Sequence, residues 1–137
     1  MITGRILGID HGDARIGVAL SDPTAFLASP LCVIKNTKTA LDEIDALVKE
    51  HGVAAIVTGL PRNMNGSYGP AAEKVRAFME KLRETTGVPV EEWDERLSTV
   101  SAHNALREAG LDGKKRKHVV DKVAAQIILQ NYLDAQG

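Results

Sequence analysis

The chain has one cysteine, Cys32, so no internal disulfide framework can hold it together. That thiol falls in the apolar run Leu31-Cys32-Val33-Ile34 and reads as a buried structural residue, not a reactive one. Aromatic residues make up only 4% of the sequence, too few for a surface that recognises its ligand mainly by stacking. There is no run of about 18 apolar residues, so no membrane-spanning helix is expected. The N-terminus goes straight into a strand-like segment with no signal peptide ahead of it, and a cytoplasmic protein is the expectation. Neither sign of charge dominates: 17 basic and 18 acidic residues leave a net charge of -1. That balance excludes a generally cationic coat but allows a local basic patch. Internal repeats and low-complexity tracts are also missing. What remains is ordinary: 137 residues, 44% hydrophobic and 26% charged, the size and composition of one domain spanning residues 1–137 with a core of its own.

The stretch that organises the rest is Ile6 to Asp22. Ile6, Leu7 and Ile9 form an apolar, β-prone run that stops at Asp10. His11-Gly12-Asp13-Ala14 is turn material, and Ile16 to Leu20 is apolar again before the turn signal Ser21-Asp22-Pro23. Asp10 therefore ends a strand in the rigid part of the fold, where a carboxylate is otherwise unwelcome. Gly8, Gly12 and Gly17 remove side chains around it and permit close approach to the backbone. Two readings stand: an Asp that initiates the turn by bonding within its own loop, or a metal-binding carboxylate at a strand end.

Further along, Ala25 to Pro30 reads as a loop and Leu31 to Ile34 as a third strand of an antiparallel meander. Asn36-Thr37-Lys38-Thr39 offers capping residues for a helix with Leu41, Ile44, Leu47 and Val48 on one face, ended by Gly52. Val53 to Leu60 is a nearly unbroken apolar run, the mark of a strand covered on both faces. A turn-rich loop, 61 to 69, leads to Pro70, which suits the first turn of a helix with Ala71, Val75, Phe78, Met79 and Leu82 inward and Gly87 at its end. Val88 to Trp93 reads as a strand, Ser98 to Glu108 as a helix, Leu111 to His118 as a basic loop, and Val119 to Leu133 as the final helix, with Val120, Val123, Ala124, Ile127 and Tyr132 available for packing. The order β-β-β-α-β-α-β-α-α predicts an α/β fold: a mixed five-stranded sheet with helices on both faces, in ribonuclease H-like order.

Four motifs occur in sequence: Gly8-Ile9-Asp10-His11-Gly12-Asp13-Ala14-Arg15-Ile16-Gly17-Val18-Ala19; Gly59-Leu60-Pro61-Arg62-Asn63-Met64-Asn65-Gly66-Ser67; Trp93-Asp94-Glu95-Arg96-Leu97-Ser98-Thr99; and Lys117-His118-Val119-Val120-Asp121-Lys122-Val123-Ala124-Ala125. With this set, over nearly its whole length, the chain resembles the YqgF, or RuvX, family of RNase H-like nucleases. That family is associated with maturation of pre-16S ribosomal RNA and with resolution of Holliday junctions. The resemblance implies catalytic, metal-binding carboxylates at Asp10, Glu95 and Asp121. It further implies a hydrolase that uses Mg²⁺ or Mn²⁺, because hard divalent ions favour carboxylate oxygens.

Around those three positions the residues themselves leave alternatives. Asp94 and Glu95 are adjacent, and adjacent strand residues face opposite ways, so only one of them is expected at the metal; the family pattern favours Glu95. Ala124 and Ala125, one turn beyond Asp121, would let the last helix lie close to the sheet and bring Asp121 toward Asp10. Arg15 and Arg96 flank the acidic edge and could hold a phosphate or form ordinary ion pairs. Asn63 and Asn65 precede a helix N-terminus and could bond a nucleic-acid backbone or only shape a long turn. Lys114, Lys115, Arg116 and Lys117 form the one dense basic run, either a phosphate contact or a solvated loop. His11 is expected as an exposed turn residue, and Trp93 as an anchor in or under the core. The expected partner is nucleic acid: precursor ribosomal RNA or, alternatively, branched DNA. RNA trimming needs only a monomer, whereas a resolvase calls for a homodimer. A nucleic-acid-binding module without catalysis is the third possibility. A two-lobed phosphotransferase is excluded by length.

Overall fold

The computed structural model describes residues 4–60, 69–94 and 113–136. Five strands and three helices are assigned there: β1 (Arg5–His11), β2 (Arg15–Ser21), β3 (Ala28–Lys35), α1 (Ala40–His51), β4 (Val53–Leu60), α2 (Pro70–Thr86), β5 (Val90–Asp94) and α3 (Gly113–Gln136). The sheet order is β3-β2-β1-β4-β5, with β1–β2 and β2–β3 antiparallel and β1–β4 and β4–β5 parallel. This is the expected mixed sheet, and hairpins and helical crossovers explain which strands run which way. The expected helix at Ser98–Glu108 lies outside the described residues. No helix among the described residues is long and apolar enough to cross a membrane.

Two apolar layers sandwich the sheet. On one face Leu7, Ile9, Ile16, Val18 and Ile56 pack against Ile44 and Val48 of α1 and Val75, Phe78, Met79 and Leu82 of α2. On the other, Ile6, Ala19 and Val57 meet Ala125, Ile128, Leu129, Tyr132 and Leu133 of α3. β4, buried almost throughout, supplies both layers, as its unbroken apolar sequence predicts. Gly52 and Gly87 close α1 and α2 in the left-handed conformation, with φ of 63° and 72°.

Several expectations are corrected. β3 starts at Ala28, not Leu31, because Gln130 of α3 accepts a hydrogen bond from the Ala28 amide and Gln126 donates to its carbonyl, partners about a hundred residues away. The basic run at Lys114–Lys117 is not a loop: α3 begins at Gly113 and includes it, since lysine and arginine are good helix formers and nothing there breaks the helix. On α2 it is Ala72, not Ala71, that is buried. On α3 the buried stripe runs through Ala124, Ala125, Ile128, Leu129, Tyr132 and Leu133, while Val123 and Ile127 are only half-buried.

Candidate active site

Parallel strands bring their carboxyl ends to one edge, where α/β sheets bind ligands. Asp10 lies there. It is the penultimate residue of β1, paired with Gly17 of β2, and it is half-buried. Strand alternation puts Leu7, Ile9 and His11 toward α1 and α2, and Ile6, Gly8 and Asp10 toward α3. Gly8 is what lets α3 come close. A Cβ on it would stand 2.7 Å from Leu129 Cβ and 3.0 Å from the Ala125 carbonyl oxygen, inside van der Waals contact. The small residues at Gly8, Ala124 and Ala125 thus seat the helix directly on β1, one step along the strand from Asp10.

The direction of α3 follows from its glutamines. Gln130 donates to the Phe26 carbonyl, and Gln126 to that of Ala28, so the C-terminal half of α3 lies over the end where β3 begins. Its earlier turns therefore run toward the end where β1 finishes. Asp121 stands on that part of the helix, one turn before Ala125. Glu95, Arg96, Asn63 and Asn65 lie outside the described residues.

The same edge carries positive charge. Arg15 opens β2 and shares the face of Gly17, and therefore of Asp10. Lys35 pairs directly across from Arg15 and was not singled out by the sequence. Like charges placed opposite each other on neighbouring strands repel. The signal for Lys35 was available only through the β2–β3 register. On β5, alternation puts Glu91 and Trp93 on the α3 face. Trp93 is half-buried, meeting the Tyr132 ring edge-on at 5.7 Å and 89°. The Tyr132 hydroxyl donates to Glu91 at 2.6 Å; burial first, and then that carboxylate, push its pKa up to about 12.

His11 is not an exposed turn residue. Its ring lies 4.5 Å from that of Phe78 on α2, on the face opposite Asp10. Asn36, expected as a cap, instead clamps this turn. Its side-chain amide donates to the Gly12 carbonyl at 2.8 Å and lies 3.2 Å from His11 Nε2. A carbonyl only accepts, so the Asn36 nitrogen is identified. The same NH₂ group faces Nε2, an arrangement that favours the neutral imidazole with its proton on Nδ1. Burial pulls the His11 pKa down, in keeping with that state, while Asp13 opposes the shift. Asp13 itself reaches Lys74 of α2 at 3.6 Å. Gly12 is required because a Cβ there would stand 2.6 Å from the Arg15 carbonyl oxygen, to which the Gly12 amide donates.

Among the described residues no three histidine, cysteine or acidic side chains gather into a metal site. The donor that is described, a half-buried carboxylate at a strand end, is an oxygen ligand of the kind a hard cation takes.

A sequence model of the RuvX family, described as "Holliday junction resolvase", matches residues 4–135. The chain belongs to the RuvX family. Curated relatives named "Putative pre-16S rRNA nuclease" include one from Clostridioides difficile, 51% identical over 136 residues, covering 98% of this chain and 96% of the relative. Another, from Pelotomaculum thermopropionicum, is 50% identical over 136 residues, covering 97% and 88%. RuvX membership makes the chain a nuclease-family hydrolase. The fold recurs in solved resolvases. Thermus thermophilus RuvC, in complex with a Holliday junction substrate, matches with a TM-score of 0.54 and 17% identity, covering 96% of this chain and 95% of that one. The fowlpox virus Holliday junction resolvase matches at 0.57 and 12%, covering 97% and 99%. These likenesses establish the RNase H-like fold.

Proposed function

We propose that the chain is a divalent-metal-dependent endonuclease that hydrolyses phosphodiester bonds in structured RNA and processes the 5′ end of pre-16S ribosomal RNA. The observation that carries this reading is the placement of Asp10: a strand-end carboxylate on the face where Gly8 lets α3 touch the sheet, one step from the closest contact. Asp10, Glu95 and Asp121 are the proposed ligands of Mg²⁺ or Mn²⁺. For the second ligand the family pattern favours Glu95, just past the end of β5, over Asp94, the last residue of that strand. The course of α3 toward the carboxyl end of β1 supports Asp121.

A bound divalent ion supplies Lewis acidity to the scissile phosphate and an attacking water of lowered pKa. The chain's own residues do the rest. Asp10 holds its carboxylate fixed at the end of a central strand, so no reorganisation is needed when charge develops. Arg15 and Lys35 receive non-bridging phosphate oxygens on the same face, and Arg96, Asn63 and Asn65 are proposed to extend that contact. Lys114, Lys115, Arg116 and Lys117 lie on the turns of α3 that precede Asp121, and we assign them to the RNA backbone. Changing all four to Ala should lower the slope of log K against log salt by roughly 3–4. An unchanged slope removes them from the interface. The proposal includes a single domain that works in the cytoplasm as a monomer or homodimer.

A second reading, hydrolysis of branched DNA, is carried by the description of the family model. One assay separates the two. Purified protein is given a pre-16S 5′-end transcript and a four-way DNA junction, with Mg²⁺, with Mn²⁺ and with chelator. RNA cleavage that vanishes in chelator is expected. Cleavage of the junction alone would move the substrate to DNA, and full cleavage in chelator would end the metal assignment. Binding of both substrates without cleavage of either would leave a non-catalytic module.

A further inference from the structure

At the end of the sheet away from Asp10, the turn between β2 and β3 holds two large apolar side chains in solvent. Phe26 is 81% exposed and Leu27 64%. They are not loose. The Asp22 carboxylate accepts hydrogen bonds from the amides of Phe26 at 2.7 Å, Leu27 at 2.8 Å and Thr24 at 3.1 Å, and from the Thr24 hydroxyl. Those bonds, the Thr24 hydroxyl first, hold its pKa well below the usual carboxylate range, so the brace is charged at every physiological pH. From the other side, Gln130 of α3 donates to the Phe26 carbonyl at 3.2 Å and accepts from the Ala28 amide at 2.9 Å. Ala25, between them, is held at a φ of 57°, a left-handed conformation that alanine rarely adopts. Such strain persists only where surrounding contacts enforce it, and it clusters at functional segments.

A braced turn that displays apolar side chains has little entropy left to lose on binding. Its surroundings fix the kind of partner. The Asp22 carboxylate touches the backbone of both exposed residues. The Gln130 amide that bonds Phe26 also donates to the Asp134 carboxylate at 3.0 Å. Two carboxylates, Asp22 bonded to the backbone of the turn and Asp134 linked to it through Gln130, make its surroundings acidic, which disfavours phosphate and suits a cleft with a basic rim. We propose that Phe26 and Leu27 dock into an apolar cleft rimmed by lysine or arginine, on a basic protein bound to the substrate RNA. The inference rests on the RNA-processing reading for the identity of that substrate.

The test compares immature small ribosomal subunits carrying pre-16S RNA with the same RNA stripped of protein. The double variant Phe26→Ala/Leu27→Ala should keep wild-type melting and wild-type cleavage of stripped RNA. On the particle its kcat/KM should fall by about tenfold or more, through KM. Asp134→Lys should weaken engagement of the particle alone. Equal loss by the double variant on both substrates, or tighter binding of both by Asp134→Lys, would mean that the turn meets RNA and would overturn the proposal. So would a double variant indistinguishable from wild type on the particle. Co-sedimentation with the particle reads docking without cleavage. A wild type that co-sediments but cleaves nothing therefore counts against the nuclease reading alone.

Discussion

The two faces of the sheet are built on different principles. Toward α1 and α2, large branched side chains such as Ile9, Ile16, Val18 and Ile56 fill the space at full burial. Toward α3, the central strands offer Gly8, Gly17 and Ala19, and the helix answers with Ala124 and Ala125. Apolar volume stabilises a fold; small residues bring backbones together. The first face is the source of stability. The second gives some of that up to hold α3 within touching distance of β1, and Asp10 lies on it.

The largest expected effect tests that division at Asp10. Asp10→Asn keeps the shape and removes a charge. Cleavage should fall by orders of magnitude while RNA binding survives, and, if the proposed ligands Asp10, Glu95 and Asp121 converge, melting without metal should hold or rise as their mutual repulsion eases. If Asp10 were instead a turn-forming residue, the variant would lose roughly 0.5–2 kcal/mol and keep its activity. An active but destabilised Asp10→Asn would make the α3 face as structural as the other.

Two substitutions, one on each face, sharpen the contrast. Ile56→Ala opens a cavity at a fully buried position on β4 and should cost about 2–5 kcal/mol, with cleavage per folded molecule kept. Gly8→Ala adds one methyl group where Leu129 Cβ is 2.7 Å away, so α3 must lift or slide. The expected cost is smaller, about 1–3 kcal/mol, but cleavage per folded molecule should drop with it. Denaturant melts paired with cleavage rates normalised to folded protein read both variants. If Ile56→Ala lost activity and Gly8→Ala kept it, the assignment of faces would be reversed.

The parts of this arrangement written locally were legible in the sequence. The unbroken apolar run of β4 announces a strand covered twice, and Gly52 and Gly87 mark helix ends because only their φ suits the left-handed cap. The closeness of α3 to the sheet was readable from Ala124 and Ala125. Its other half, Gly8, was visible as a small residue but not as a contact. What the sequence hid depends on distant partners. Ala28 joins β3 through glutamines of α3, and His11 is half-buried because Phe78, far along the chain, lies against it. Lys35 became a candidate only when register set it across from Arg15. The density of charge at Lys114–Lys117 suggests a solvated loop, but lysine and arginine favour helix and nothing in the run breaks one.

The smallest expected effect lies where the two faces meet. His11 and Asp10 are neighbours pointing opposite ways, and Asn36 holds the turn beyond them from the α1–α2 side. Its amide serves both the Gly12 carbonyl and His11 Nε2, while its backbone amide donates to Ala14 at 3.0 Å. Asn36→Ala leaves the backbone bond in place and removes the other two. The turn is partly solvated, so water replaces some of what is lost, and the expected cost is about 1–2 kcal/mol. The His11 imidazole should then lose its fixed tautomer, which nitrogen-15 chemical shifts of the ring report directly. Cleavage should fall only a few-fold, because Asp10 is also held by its pairing with Gly17. A loss as deep as that of Asp10→Asn would show that the α1–α2 face reaches through this turn into the active site. Unchanged melting and an unchanged tautomer would show that Asn36 is a bystander.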